Sequence, residues 1–409
     1  MEELRNERIR NNLSREERLR RKRKRERRRQ LQRNKFIALV FLLMLGIICV
    51  VNVATGDRKF SEKENRALEQ RPQLTLSGIE SGRWMEQYES YVSDQFTGRD
   101  FWVSLKSNLD LLSGKRKSNG VFKGKDHYLL EDIATPDETQ MNANLTAMKE
   151  FRQTYKDIPM YMMLVPDAAN IQADKLPKHA VTEDQNQQFT QIKDTLGDSF
   201  QWINVTDALN KHKSEDLYYR TDHHWTTLGA YYGYQELAAS MKLDTGKQQE
   251  LKPYAVTTEF NGTLSSTSGY ETSYEEPIYI YAPDDLEKAT QVVVNNVNEK
   301  KKTGTLYDTS KLKGKDKYAL FLGGNYPMLD IRTTADSTDR LLIFKDSYAN
   351  SLIPFLTDYY REIIVIDPRY YYDNIKDVME ENKITSVLFL YNGNTFVKDN
   401  SISGVLQND

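Results

Sequence analysis

Nineteen consecutive residues, Phe36 to Ala54 (FIALVFLLMLGIICVVNVA), carry no charge and only one strongly polar side chain, Asn52. A helix rises about 1.5 Å per residue, so a run of this length nearly matches a bilayer core of roughly 30 Å. The flanking sequence says which kind of apolar segment it is. Met1 to Lys35 hold 16 Lys/Arg against 6 Asp/Glu, whereas a cleaved secretory signal has a short basic start and an apolar stretch of about 7 to 15 residues. The run therefore reads as an uncleaved anchor, residues 36–54, behind a basic cytoplasmic tail, residues 1–35. By the positive-inside rule residues 55–409 then form an extracytoplasmic domain on a single-pass cell-membrane protein.

The formal net charge of −2 conceals this division, because the other 374 residues carry 41 Lys/Arg against 53 Asp/Glu. The tail LRRKRKRERRRQLQRNK could be a nucleic-acid footprint. Its place against a membrane span is better explained by orientation and attraction to anionic lipid headgroups, so no nucleic-acid partner is expected. Cys49, the one cysteine, lies inside the apolar run. The exported part thus has no thiol and must be stable on its hydrophobic core, which about 355 residues readily supply.

Along that part, WMEQYESYVSDQF and FWVSLKSNLDLL alternate charged and apolar residues at helical spacing, and two or three helices are expected near the membrane between Lys59 and Lys115. NGVFKGKDHYLL reads as a hairpin. A βα alternation follows, with IPMYMMLVP as a buried strand and FQWINV as another. The stretch from Leu251 to Met328, rich in Thr, Tyr, Asn and Lys, reads as a β-rich insertion. After it RLLIFKDSYANSLIPFL, EIIVIDPRYYYDNIKDVMEEN and ITSVLFLYNGNTF repeat the βα pattern. The expected fold class is α/β, a mostly parallel sheet flanked by helices, with reactive groups gathered beyond the carboxyl ends of its strands.

Two stretches carry candidate chemistry. In LLIFKDSYANS a strand stops at Lys345 and a helix is expected to begin near Ser347, where backbone N–H groups would favour a developing oxyanion; alternatively Asp346 and Ser347 only cap the helix. In YYRTDHHWTTLGA, His224 can accept a hydroxyl proton and Asp222 can hold its imidazole in one tautomer. The alternative is a structural histidine among Tyr218, Tyr219, Trp225, Tyr231 and Tyr232. A metal site is disfavoured, since adjacent histidines point apart and neither HExxH nor CxxC occurs. The Gly-Asp-Ser order in LGDSF, Leu196 to Phe200, follows a helical run and precedes a strand, so it reads as a helix-ending turn.

With Asp222, His224 and Ser347 together, the chain resembles the DHHW family and the related alginate O-acetyltransferases of the AlgX and AlgJ type, which are SGNH-hydrolase-like with a permuted motif order. TDHHWTTLGA and LLIFKDSYANS carry the resemblance, with further matches in ENRALEQRP, NGVFKGKDHYLL and VPDAANIQADKLP. The basic tail and the 251–328 insertion lie outside it. The resemblance implies a Ser347/His224/Asp222 triad acting on acetyl esters, with no cofactor. The loop after the second C-terminal strand, DPRYYYDN, lacks the glycine that would normally serve the oxyanion hole, so Asn392 and Asn394 become the candidate second donors. Lys345 stands where a glycine is expected before Asp346.

The implied activity is O-acetylation of an extracellular or cell-wall polysaccharide. His223, Trp225, Arg369 and Tyr370 are the candidate substrate-binding residues. Because acetyl-CoA is cytoplasmic, a membrane-bound O-acyltransferase is the implied acetyl donor. A carbohydrate acetyl esterase using the same triad, and a non-catalytic scaffold of a polysaccharide synthesis complex, are the alternatives.

Overall fold

The basic tail and the apolar run form one continuous helix, α1 (Glu2–Ala54). The computed structural model describes all residues except 62–65, 248–249, 271, 286–288 and 409. The start of the ENRALEQRP segment therefore lies outside the described residues. Among those described, α1 is the one helix long and apolar enough to cross a membrane, and none of its apolar window is buried in the protein. The chain divides into two units, Met1–Ser61 with Arg66–Arg99, and a second built from Asp100–Asp409.

In the first unit a two-residue antiparallel pair, β1 (Phe60–Ser61) with β2 (Arg66–Ala67), precedes α2 (Leu76–Glu80) and α3 (Arg83–Gln95). Asn52 has a local role: its side chain donates to the Ile48 carbonyl at 3.0 Å and accepts the Thr97 N–H at 2.7 Å. The one strongly polar residue of the apolar run thus fastens the end of α1 to the chain just beyond α3.

The second unit opens with α4 (Arg99–Leu112) and the three-stranded meander β3 (Lys117–Ser118), β4 (Val121–Lys123) and β5 (Leu129–Glu131). The expected hairpin is β4–β5, and the positive φ of Asp126 and His127 turns it. Then come α5 (Glu138–Thr154), β6 (Met160–Val165), α6 (Ala168–Ile171), α7 (Gln185–Leu196), β7 (Gln201–Trp202), α8 (Val205–Lys211) and α9 (Thr227–Met241). Asp137 and Asp184 cap α5 and α7, each accepting two backbone N–H bonds in the first turn. LGDSF is a short 3₁₀ turn, Gly197–Ser199, between α7 and β7.

The remaining strands are β8 (Leu251–Phe260) and β9 (Glu276–Pro283), which form an antiparallel hairpin around α10 (Thr263–Ser268), followed by β10 (Val292–Asn296), β11 (Lys301–Thr303), β12 (Met328–Thr333), β13 (Arg340–Lys345), β14 (Glu362–Ile366) and β15 (Ser386–Asn392). Three helices accompany the last of these: α11 (Ile375–Glu381), α12 (Gly393–Lys398) and α13 (Ile402–Leu406).

The central sheet has eight strands in the order β11-β10-β12-β14-β13-β15-β6-β7. From β14 to β7 neighbours run parallel, while β11, β10 and β12 pair antiparallel. The sheet is therefore mixed: four of its seven pairings are parallel, as expected for most of it, and three are antiparallel. The reason lies in the stretch expected to be an insertion: its β10 and β11 are joined by a four-residue turn, which closes only an antiparallel pair. They extend the main sheet instead of forming a lobe of their own.

Strands β6, β13 and β15 are buried on both faces. Met163, Ile343 and Leu388 point into one core, Met162, Phe344 and Phe389 into the other. Two-sided burial explains why these segments read as unbroken apolar runs. At the carboxyl ends of β6, β13, β14 and β15 the apolar pattern stops together, near Asp167, Asp346, Asp367 and Asn392, and polar side chains collect there.

Candidate active site

The His224 loop is a pinched turn. Tyr218 bridges Trp225, the Tyr219 N–H reaches the His224 carbonyl at 3.2 Å, and the Thr226 N–H reaches Leu217 at 2.9 Å. Trp225, fully buried, donates its indole N–H to the Tyr348 carbonyl at 2.9 Å, which ties this loop to the turn that carries Ser347. The indole lies across α9 only because Gly233 is a glycine: a Cβ there would fall 2.8 Å from the ring. Trp225 is therefore a buried brace, not a substrate-facing platform.

The turn brings Ser347 to the imidazole. Ser347 Oγ lies 2.7 Å from His224 Nε2, and His224 Nδ1 lies 2.5 Å from Asp222 Oδ1. Asp222 is saturated: Oδ1 also accepts the His224 N–H at 3.1 Å, and Oδ2 accepts the Thr263 N–H at 2.8 Å and its hydroxyl at 2.9 Å. Burial works to raise its pKa, but the two neighbouring imidazoles and these hydrogen bonds prevail and hold the carboxyl well below the usual range. Asp222 and His224 are buried while Ser347 stays half-exposed, so the hydroxyl is reachable and its partners are held.

Ser347 does not begin an α-helix. It opens two short 3₁₀ turns, Ser347–Ser351 and Ile353–Leu356, so the expected helix dipole is replaced by local N–H groups. Asp346 shapes the turn, accepting the Tyr348 N–H and the Asn392 N–H, both at 2.9 Å. Lys345, in the expected glycine position, is 1 % exposed and lies on the opposite side of the turn from solvent. Its ammonium bonds Asn325 at 2.7 Å and lies 3.3 Å from Asp367, a carboxylate that Arg369 also grips at 2.6 and 2.8 Å. Burial pushes the Lys345 pKa down against the pull of Asp367. Arg369 is thus occupied by Asp367, while Tyr370 remains exposed.

The expected donors Asn392 and Asn394 are engaged elsewhere. Asn392 caps α12 through its Oδ1 and turns its amide N–H toward the Val165 carbonyl. Asn394 takes the Ala134 N–H on Oδ1 and donates to the Asp132 carbonyl. Asn392 thus ties the end of β15 to β6, and Asn394 ties it to the segment after β5, roles visible beforehand only as the cap pattern Asn-Gly-Asn-Thr.

Tyr318 and Thr263 gave no sequence signal, and Asp167 stood out only as part of VPDAANIQADKLP. Tyr318, from the 251–328 segment, stacks on His224 at 3.7 Å and 11° and donates to the Ser347 carbonyl at 3.1 Å, with the Ser351 hydroxyl also 3.1 Å from its oxygen. Thr263 comes from the start of α10. Asp167, at the end of β6, is buried against Gln185 and the Asn394 N–H, and burial pushes its pKa up to about 6.

That shift has a sign. Between the unfolded value near 3.8 and about 6 the folded state binds more protons, so stability falls as pH rises through this window and is lower above it. Asp167→Asn should abolish that component: the melting temperature of the wild type drops from pH 4.5 to 7.5 more than that of the variant. Parallel melting curves across this range would refute it.

Asp222, His223 and His224 place candidate ligand atoms within 4.8 Å of one another. His224 spends one nitrogen on Asp222 and the other on Ser347, so it has no free nitrogen to offer an ion.

The DHHW protein family profile matches residues 140–366, more than half of the chain. The chain belongs to the DHHW family. That range includes the 251–328 segment, so Tyr318 and Thr263 stand on family sequence rather than on an added piece. Among solved structures, this DHHW protein is similar to a DHHW family protein from Eubacterium siraeum, with 24% identity and a TM-score of 0.60 over 71% of this chain and 96% of that one. It is also similar to Bacillus cereus PatB1 solved with a sulfonyl adduct, with 22% identity and a TM-score of 0.58 over 70% and 97% of the two chains. The O-acetyltransferase domain of Pseudomonas putida AlgJ aligns at 16% identity and a TM-score of 0.43 over 69% and 94%. Comparison with curated protein sequences yields no match.

Proposed function

We propose that this DHHW protein is a membrane-anchored O-acetyltransferase that modifies an extracellular or cell-wall polysaccharide through Ser347, His224 and Asp222. The observation that carries the reading is the unbroken line from Asp222 Oδ1 through the His224 ring to Ser347 Oγ, at 2.5 and 2.7 Å. A serine hydroxyl so placed is deprotonated by His224 Nε2 as Oγ attacks the acetyl carbonyl. The donor's leaving group takes the proton back from His224 and departs, leaving acetyl-Ser347. A sugar hydroxyl then gives its proton to His224 and its oxygen to the acetyl carbon, and Ser347 regains its own proton from the imidazolium. Hydrolysis differs only in having water as the acceptor.

The permuted order, with the Asp/His motif before the serine, agrees with an SGNH-like plan in which the strands leading to Lys345, Ile366 and Asn392 are the repeated βα units. The charge asymmetry about residues 36–54 supports a cytoplasmic tail and an extracytoplasmic site, hence a membrane-bound acyltransferase as acetyl donor. Attachment of a periplasm-active or surface-active reporter after Asp409 should give signal, and activity only from a cytoplasm-active reporter would overturn the orientation.

The central test uses the full chain in detergent. A phenylmethyl sulfonyl fluoride should modify Ser347, seen as a single mass increment on its peptide, and block release of acetate from a chromogenic acetyl ester. Ser347→Ala should lose both, with turnover falling by at least about 10³-fold. Turnover that survives this substitution rules out the serine.

A further inference from the structure

His223 has a defined protonation pattern. Thr263 Oγ1 has one hydrogen, and it points to Asp222 Oδ2 at 2.9 Å, so at the 3.0 Å contact with His223 Nδ1 the hydroxyl oxygen accepts and Nδ1 carries the proton. In the neutral ring Nε2 is then a bare acceptor. Crowding by the protein and the adjacent His224 ring, 3.9 Å away, lower the His223 pKa and favour that neutral form. No side chain or backbone group among the described residues bonds Nε2, and the His223 side chain keeps 32% of its surface exposed.

Glu131 lies near His223. It ends β5, which is held beside the His loop by the Leu129 N–H on the Arg220 carbonyl at 2.7 Å. Leu129 and Glu131 share a strand face, and Leu129 packs against Leu264, next to Thr263 on α10. The carboxylate is half-buried and has no hydrogen-bond partner among the described residues; burial and the nearby Asp167 push its pKa up, and His223 opposes that only when its ring is charged. A half-buried carboxylate without a donor is costly unless something else supplies one.

We propose that Glu131 and His223 Nε2 form the acceptor subsite of this enzyme, two unpaired hydrogen-bond acceptors that grip adjacent hydroxyls of a neutral sugar and hold one of them toward the acetylated Ser347. The inference rests on the acyl-transfer reading given above. Two acceptors side by side select for hydroxyl donors and against an acetyl carbonyl, which can only accept. A uronate is disfavoured too, because its carboxylate would meet Glu131 and the buried Asp167 and Asp346. Glu131 and His223 are specificity residues in this scheme, while His224 moves the protons.

Binding and transfer are measured separately on the full chain. In a Ser347→Ala background, chitohexaose and cellohexaose should bind, and Glu131→Gln or His223→Asn should weaken them about tenfold. Asn retains a donor for Thr263 at the Nδ1 position and lacks Nε2. In the active protein, the ratio of acetyl transferred to the hexaose over acetate released to water should fall about tenfold in either variant. Unchanged binding and an unchanged ratio would overturn the subsite, as would tighter binding of a hexauronate than of both neutral sugars, or no binding of either neutral sugar. If the wild type neither cleaves acetyl esters nor is labelled at Ser347, yet sugar binding depends on Glu131 and His223, then the acyl-transfer reading fails and the subsite stands.

Discussion

Replacing Asp222 by Asn is expected to lower acetyl-ester turnover about 10⁴-fold while leaving the protein folded. Asp222 Oδ1 receives the His224 Nδ1 proton at 2.5 Å and so forces Nε2, which faces Ser347, to be the basic nitrogen. An asparagine can offer an N–H in that place, which favours the opposite tautomer and presents Ser347 with a donor instead of a base. The Thr263 contacts to the other oxygen persist in part, so the loss is in kcat rather than in stability. Steady-state kinetics and the rate of sulfonylation of Ser347 should fall together. A loss smaller than tenfold would mean that Asp222 only supports the loop. Because its carboxyl is held well below the ordinary range, the stability that Asp222 contributes is complete above about pH 4. That contribution disappears only as pH falls through the depressed value, so loss of activity on mild acidification is not a titration of Asp222.

The second large effect is expected at Gly262. A Cβ there would lie 2.2 Å from Asp222 Cβ and 2.5 Å from Oδ2, with Asp222 Cα at 2.8 Å. The backbone can approach this closely because no side chain intervenes, and only this approach lets the Thr263 N–H and hydroxyl reach the carboxylate. Gly262→Ala must separate the two segments by about an ångström. Overpacking of this kind costs about 1–3 kcal/mol, and the displacement breaks the Thr263 support for both Asp222 and His223. Turnover should fall about 10²-fold or more, with a melting temperature several degrees lower. Wild-type kinetics in Gly262→Ala would show that Asp222 needs no support from α10.

How much of this was legible beforehand follows from distance along the chain. Ser347 could be singled out because it follows an apolar strand, and His224 and Asp222 because they sit two residues apart beside an aromatic cluster. Asn392 and Asn394 have suitable side chains at the end of a suitable strand, yet the β5–α5 and β6 backbones claim their amides. Tyr318 could not be found in advance. It sits in a segment without strong periodicity, 94 residues from His224, and is brought onto the ring by short 3₁₀ turns packed with Phe260 and Ile278 of the β8–β9 hairpin. Glu131 looked like any charge at the end of a short strand.

The linear order of residues by itself determined the features that depend on neighbours: an uncharged helix of membrane length, the basic flank, the two-sided apolar strands and the caps of their helices. These follow from periodicity and local hydrogen bonding, which act over a few residues. Tertiary structure alone decided that the central sheet is mixed, that Lys345 turns inward to Asp367, and that Gly262, Thr263 and Tyr318 close around Asp222 and His224. Those contacts join segments tens of residues apart, and their geometry is set by how the hairpin packs on the sheet, a property of the folded whole that no local pattern encodes.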